Sequence, residues 1–429
     1  MIGEAVKEYK KKTSKSLKLF ERASISLPGG VCHNVRLWGL PNVGAYPFYT
    51  ERARGSHLWD VDGNEYVDYW CGHSALILGH TNEALVKALH DQVQRGIQWG
   101  TTNEKQVELA ELVRDMVPSV DIVRFCSTGT EATMYAARMA RAYTGKKTII
   151  KQKGGWHGAN DSLFYQCFAP YEEKESLGLL DEIYRYVKTI PFGDVSKASE
   201  EIQKNRDDLA AVILDCSGQG VLGTKEFLKA VRRETEKHGA LMMLDEIVTG
   251  FRLAPGGAQE FYNITPDLTV MGKVLGGGTP IGAVGGREEI MKFADPLTRK
   301  KPDIAWIGGG TFSGNPFTMT AGVETLKILK HESSIYDKIN SMGSKIRNGL
   351  AKTFESRNFK ASIRGECSLF FPLQILTADS PDRGLEYFIR LMNKGVFTAA
   401  GGGFVSAAHT DIDVKKLLEA AELVVEEMS

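Results

Sequence analysis

The stretch DLTVMGKVLGGGTPIGAVGG, residues 267–286, sets one lysine between two apolar runs. DLTVMG (267–272) and IGAVGG (281–286) read as short strands, and Lys273 follows the first, ahead of Gly276, Gly277 and Gly278. A lysine in so crowded and dry a setting is not a solvated surface charge. Burial lowers its pKa and makes the amine nucleophilic. It is not a phosphate-loop lysine: Val274 stands where that motif requires Ser or Thr, and the motif's upstream glycine is missing.

The pattern continues upstream. ALMMLD (240–245), AAVILD (210–215), KTIIK (147–151) and IVRFC (122–126) are short and β-rich. Helical patterns lie between several of them, such as TEATMYAARMARAY (130–143) and KEFLKAVRRETEKHG (225–239). Apolar strands alternating with helices predict an α/β fold with a mostly parallel sheet covered on both faces. The ends differ. Residues 40–70 read as short strands around the Asp62-Gly63-Asn64 turn, and 334–429 as helices around two or three strands, the last helix following Thr410-Asp411. The expected division is an N-terminal segment 1–69 that joins a small α+β domain, a large domain 70–320, and the C-terminal part of the small domain, 321–429.

Composition narrows the function classes. Hydrophobic residues make up 42% of the 429 and charged residues 25%, which excludes disorder, collagen and coiled coil for the whole chain. Lys plus Arg and Asp plus Glu each total 53, without the basic surplus of a dedicated nucleic-acid binder. No apolar run reaches the ~18 residues of a membrane span. Cys32, Cys71, Cys126, Cys167, Cys216 and Cys367 form no CxxC pair and no metal-ligand spacing, which reads as reduced thiols of a cytoplasmic protein without a metal site. The N-terminus, MIGEAVKEYKKKTSKSLKLFERA, reads as an amphipathic helix; it has no apolar leader core, and Glu4 and Glu8 argue against a transit peptide.

Two further segments carry chemistry. CSTGTEA (126–132) follows a strand and opens a helix, so the N–H groups of Gly129 and Thr130 suit a phosphate, with hydroxyls of Ser127, Thr128 or Thr130 as added donors. The same pattern also serves as a plain helix cap. In LMMLDEIVTGFR (241–252), Asp245 ends an apolar strand, where a carboxylate needs a partner and where open α/β sheets bind ligands. A phosphate cradle, a carboxylate and an amine on neighbouring strand ends are the three groups that pyridoxal phosphate needs: an imine-forming lysine, an anion for the pyridine nitrogen and a phosphate site. A nicotinamide dehydrogenase is disfavoured, because no GxGxxG stands between an early strand and helix.

LWDVDGNEYVDY, LILGH, STGTEA, GGWHG, LDEIVTGFR, PDLTVMGKVLGGGTPIGAVGG, GTFSGNP and GFVSAAHT occur in that order along nearly the whole chain. In this series the chain resembles the class III pyridoxal-phosphate aminotransferases of fold type I, in the branch containing glutamate-1-semialdehyde 2,1-aminomutase. The resemblance implies pyridoxal 5′-phosphate as cofactor, Lys273 as the Schiff-base lysine and Asp245 as partner of the pyridinium nitrogen. It implies Ile247 on one ring face and Trp156, where Tyr or Phe is usual, on the other. Gly129 and Thr130 would hold the phosphate, and Thr311 would reach the phosphate of a second subunit, which implies a homodimer with shared active sites. His157 would support Asp245 or be a satisfied core histidine. Arg252 is a substrate ligand or, preferably, part of a structural ion pair. Arg36, in GGVCHNVR, matches an arginine that clamps a substrate carboxylate.

Four segments depart from the aminomutase pattern. His73 stands where a Trp is expected, and could itself touch substrate. No Glu precedes Gly-Phe in AAGGGFVSAAHT (399–410), where Gly401 to Gly403 stand instead; DCSGQG (215–220) replaces a Glu-Pro motif; and ANDSLFYQCFAPYEE replaces a small-residue lid. The pocket reads as more apolar and aromatic. An ordinary aminotransferase, taking an amino group from a small-molecule donor and passing it to a carboxylate-bearing keto acid or aldehyde, is therefore the leading expectation. The alternatives are the aminomutase itself, a racemase using His73 or Tyr165 as a second acid/base, and a non-catalytic cofactor binder.

Overall fold

The structure, a computed structural model, describes residues 2–217, 225–372, 381–398 and 402–429. Of the departures noted above, 218–220 and Gly401 lie outside these residues. In chain order the elements begin with α1 (Ile2–Lys12), α2 (Ser14–Ser26), β1 (Thr50–Arg54), β2 (His57–Asp60) and β3 (Glu65–Asp68). There follow α3 (Glu83–Arg95), α4 (Glu104–Met116), β4 (Ile122–Cys126), α5 (Gly129–Thr144), β5 (Thr148–Gln152), β6 (Val187–Ile190), α6 (Val195–Asn205), β7 (Leu209–Asp215) and α7 (Lys225–Lys237). Next come β8 (Leu241–Asp245), α8 (Gly257–Tyr262), β9 (Leu268–Gly272), β10 (Gly282–Gly286), α9 (Glu288–Met291), α10 (Pro316–His331) and α11 (Ser334–Ser356). The chain closes with β11 (Ile363–Arg364), β12 (Leu369–Pro372), α12 (Pro381–Asn393), β13 (Val396–Phe397), β14 (Gly403–Phe404) and α13 (Asp411–Met428).

Contacts divide the chain into two compact units, 84–333 and 1–83 with 334–429. The boundaries expected from the sequence lie at 69/70 and 320/321. Helix α10 spans the second of these, and its apolar positions Met319, Ala321, Val323, Leu326 and Leu329 are buried.

The larger unit is built on a seven-stranded sheet of order β4-β10-β9-β8-β7-β5-β6. From β9 through β6 all pairs are parallel, and β10 runs antiparallel to both of its neighbours. Strands β5, β7, β8 and β9 are buried at every position, which is why they read as continuous apolar runs rather than alternating ones. All six strands expected from the sequence are present. A seventh strand, β6, was not expected: it is an edge strand whose VKTI pattern is buried only at its two ends. Helix α5 starts at a capping box, Thr128 to Glu131, and stops at Gly145, whose φ is +68°. Its buried face packs into a cluster with Ile149, Ile213, Met243, Val270 and Val284 of the sheet.

In the smaller unit β1, β2 and β3 form an antiparallel meander, and β13 adds parallel to β3. The β2–β3 turn is held by Asp60, whose Oδ1 accepts from the N–H groups of Asp62 (3.0 Å) and Asn64 (2.8 Å). Tyr9, Tyr46, Tyr66, Phe388 and Phe397 anchor its core. The N-terminal segment is helical, as expected, but broken into two helices at Thr13, and α13 begins at the capping box of Thr410 and Asp413.

Candidate active site

Four neighbouring parallel strands of the larger unit end in polar residues. Lys273 follows β9, Asp245 ends β8, Asp215 ends β7 and Gln152 ends β5. Each apolar strand stops where the chain reaches a group that needs a partner, at the sheet edge where α/β folds bind ligands.

Asp245 is 4% exposed. Its Oδ2 lies 2.8 Å from His157 Nδ1, and its Oδ1 accepts from the Ile247 N–H at 3.1 Å. These bonds fix the carboxylate from both sides. His157 is itself buried, and its Nε2 meets no hydrogen-bond partner among the described residues. His157 is thus both a core histidine and a hydrogen-bond partner of Asp245.

Lys273 has a left-handed backbone, φ +49°, directly after an extended strand. Such a conformation in a non-glycine residue is a site of strain. Burial pushes its ammonium down to about 8, against the pull of the Asp215 and Asp245 carboxylates and with the Arg252 guanidinium lowering it further. An amine at that value is half neutral in mild base, as a nucleophile requires. Arg252 is fully buried.

The α5 N-terminus lies on the same unit. The Thr128 hydroxyl accepts from the Glu131 N–H (3.1 Å), and Glu131 Oε2 accepts from the N–H groups of Ser127 (2.8 Å) and Thr128 (3.0 Å). The capping box thus leaves the Gly129 and Thr130 N–H groups available at the positive end of the helix dipole. A Cβ on Gly129 would stand 2.5 Å from Ile247 Cδ1, so glycine lets the Ile247 side chain lie against the helix start. Gly158, the last residue of GGWHG, has φ +82°, and a Cβ there would meet Thr130 Oγ1 at 2.4 Å. That close approach brings the His157 loop onto the same helix end.

Trp156 is 41% exposed, with its ring edge-on to Phe164 (5.4 Å) and tilted against Phe168 (5.5 Å). Tyr165 packs against Tyr184 at 4.8 Å, and its carbonyl accepts from Lys151. Thr311 is exposed, its carbonyl accepting from Gln98 Nε2 at 2.5 Å. A Cβ on its neighbour Gly310 would lie 3.0 Å from Glu131 Oε1, so the GTFSGNP loop runs past the α5 start of its own chain.

Arg36 and His73 belong to the smaller unit. Both line a cavity of about 480 Å³ walled by Trp38, Phe48, Trp70 and Phe397. Cys71, Gly72, His73 and Ser74 all have positive φ, from +49° to +69°, and the Ser74 N–H returns to the Trp70 carbonyl at 3.0 Å. This left-handed turn sets the His73 ring 4.5 Å from Trp70 and 5.1 Å from His33.

Sequence reasoning missed Asp215 and Gln152. Asp215 is 6% exposed, accepts from the Ser217 N–H (2.8 Å) and hydroxyl (2.6 Å), and its own N–H donates to Gln152 Oε1 (2.9 Å). Burial first, and then repulsion from Asp245, raise its pKa well above the usual carboxylate range. The signal was visible: AAVILD ends in Asp as ALMMLD does.

The donor set fits pyridoxal 5′-phosphate on its chemistry: a lysine whose ammonium is weakened by burial, an oriented carboxylate, and the Gly129 and Thr130 N–H groups at the positive end of α5. The comparisons agree. Residues 40–410 match the family model for class-III aminotransferases. The chain belongs to this family, an enzyme family of fold type I, and pyridoxal 5′-phosphate is its cofactor. It is 38% identical to the glutamate-1-semialdehyde 2,1-aminomutase of Archaeoglobus fulgidus, over 95% of this chain and 99% of that one. It is 40% identical to glutamate-1-semialdehyde 2,1-aminomutase 2 of Bacillus licheniformis, over 97% and 98%. Among solved structures it superposes on an omega-transaminase from Sphaerobacter thermophilus with a TM-score of 0.87 at 30% identity, covering 96% and 97%. The relatives thus carry the name of the reaction that the sequence analysis ranked second. No helix among the described residues is long and apolar enough to cross a membrane, and none of them group as a metal site.

Proposed function

We propose that this chain moves an amino group between adjacent carbons of a short amino aldehyde bearing a carboxylate, as an aminomutase of the glutamate 1-semialdehyde type. Full-length similarity to enzymes of that name, 38–40% identical, carries the reading. Bound cofactor supplies an aldehyde for amines and a ring that takes up the electron pair left when a substrate C–H bond breaks. Lys273 Nζ would hold the cofactor's aldehyde, and as a free amine it would take a proton from the substrate carbon as base and return it as acid. Asp245 holds the ring nitrogen protonated, and His157 orients Asp245. Gly129 and Thr130 take the phosphate, while Ile247 and Trp156 cover the ring faces. Thr311 serves the phosphate site of a second copy, and Arg36 takes the substrate carboxylate, with His73 beside it.

A second reading, ordinary two-step transamination, is favoured by one observation. Trp156 packs with Phe164 and Phe168, and Trp156 and Phe168 remain 41% and 52% exposed. An aromatic surface of this kind suits an apolar amino donor better than a diamino intermediate. Glutamate 1-semialdehyde as sole substrate separates the two. Formation of 5-aminolevulinate without any added amine or keto acid is expected. No conversion, together with loss of the cofactor's colour on adding some other amino acid, would replace the aminomutase by a transaminase.

A further inference from the structure

The register between β7 and β8 pairs Asp215 with Asp245, residue for residue from Ala211 and Leu241 onward. Residues in register on parallel neighbours point to the same face of the sheet. Two buried carboxylates therefore lie side by side at the strand ends, and Lys273 directly follows the next strand beyond β8. Their surroundings differ. Asp245 has the His157 imidazole and a backbone N–H. Asp215 has only neutral donors, the N–H and hydroxyl of Ser217, and no ion pair ends on it among the described residues.

A buried anion without an ion pair requires compensation through space. The titratable groups that act on Asp215 are Asp245 on β8 and His157 in the loop after β5, and both carboxylates in turn act on Lys273 after β9. Arg252, in the loop after β8, acts on Lys273. Of the two carboxylates, Asp215 favours the charged form of Lys273 more than Asp245 does. Lys273 in turn has no ion pair of its own among the described residues that would hold its proton.

We propose that Asp215 is a positioning residue of this site: from one strand beyond Asp245, its carboxylate sets the protonation of Lys273. The proposal rests on the reading of Lys273 as the reactive lysine. It gives the sheet a division of labour. Asp245, fixed by His157, is the contact carboxylate, while Asp215, cradled by Ser217 and Gln152, tunes the amine without touching it.

The experiment is competitive labelling of cofactor-free protein with a limiting amine reagent across pH, with the Lys273 peptide quantified by mass spectrometry. Wild type is expected to show a midpoint near 8. Asp215→Asn is expected to lower that midpoint by about one pH unit, a tenfold shift in the protonation equilibrium, whereas Asp215→Glu keeps it. Ser217→Ala, which removes the hydroxyl donor to Asp215, leaves the backbone N–H and makes the carboxylate easier to protonate, should move the midpoint in the same direction by less. A purely structural role would change the melting temperature and leave the midpoint alone. An unchanged midpoint in folded Asp215→Asn overturns the proposal; if that variant does not fold, an unchanged midpoint in Ser217→Ala does so. Added pyridoxal 5′-phosphate should shield Lys273 from the label. Failure to shield counts against the cofactor lysine, and the Asp215 effect is read independently of it.

Discussion

Lys273 is held in a left-handed conformation that costs a non-glycine residue on the order of 1–3 kcal/mol, at the mouth of a sheet whose burial lowers its pKa to about 8. The sign of the consequence is fixed. Below that value the folded protein keeps an ammonium, and above it the free amine dominates. The rate at which cofactor-free protein takes up pyridoxal 5′-phosphate should therefore rise through about pH 8 and level off, instead of climbing towards the 10.5 of an ordinary lysine. Stopped-flow absorbance of the cofactor checks this, and a rise that continues past 10 would show a solvated lysine. Lys273 and Asp245 were legible because apolar runs end at them. Asp215 ends its run the same way, but its meaning depends on strand register, which no single segment encodes. The bond between His157 and Asp245, 88 positions apart in the chain, is likewise a product of folding.

At the scale of elements, the site depends on how closely the loop after β5 and the start of α5 approach each other. Gly158 is the test position. Alanine there would combine a φ of +82° with a Cβ 2.8 Å from the Thr130 Cα, a contact that backbone atoms cannot relieve by rotating. Left-handed backbone alone costs an alanine about 1–2 kcal/mol. Gly158→Ala should lower the melting temperature and release cofactor, because Thr130 and His157 are pushed apart. Calorimetry and bound-cofactor absorbance measure the two effects, and unchanged cofactor content would refute the coupling. The elements of the large sheet were readable because burial on both faces writes continuous apolar strands. Strand β6 escaped because an edge strand buries only part of its surface. The left-handed turn at 71–74 was also hidden: three of its four residues carry side chains, and nothing in their composition announces positive φ.

For the whole molecule, the sequence motifs settled the family, and the relatives shifted the preferred reaction. The four departures from the aminomutase pattern were weighed as chemistry, yet they are four short segments, whereas the similarity runs over 95% of the chain. Assembly belongs to this scale. Trp306 and Phe312 are 66% and 62% exposed on either side of the loop carrying Thr311, and Trp99 is 40% exposed near Gln98, which bonds that loop. Exposed apolar side chains of this size are what a contact between two copies would cover, if the proposed dimer forms there. Sedimentation should give twice the 47.3 kDa chain mass, and Phe312→Asp should shift the mass towards one chain and weaken cofactor binding. A wild-type monomer that retains cofactor would remove Thr311 from the site. The most direct test of the account is reduction of the cofactor-loaded protein with borohydride, followed by peptide mapping. One phosphopyridoxyl group on Lys273 per chain is the expected result; modification spread over surface lysines, with Lys273 unmodified, would contradict it.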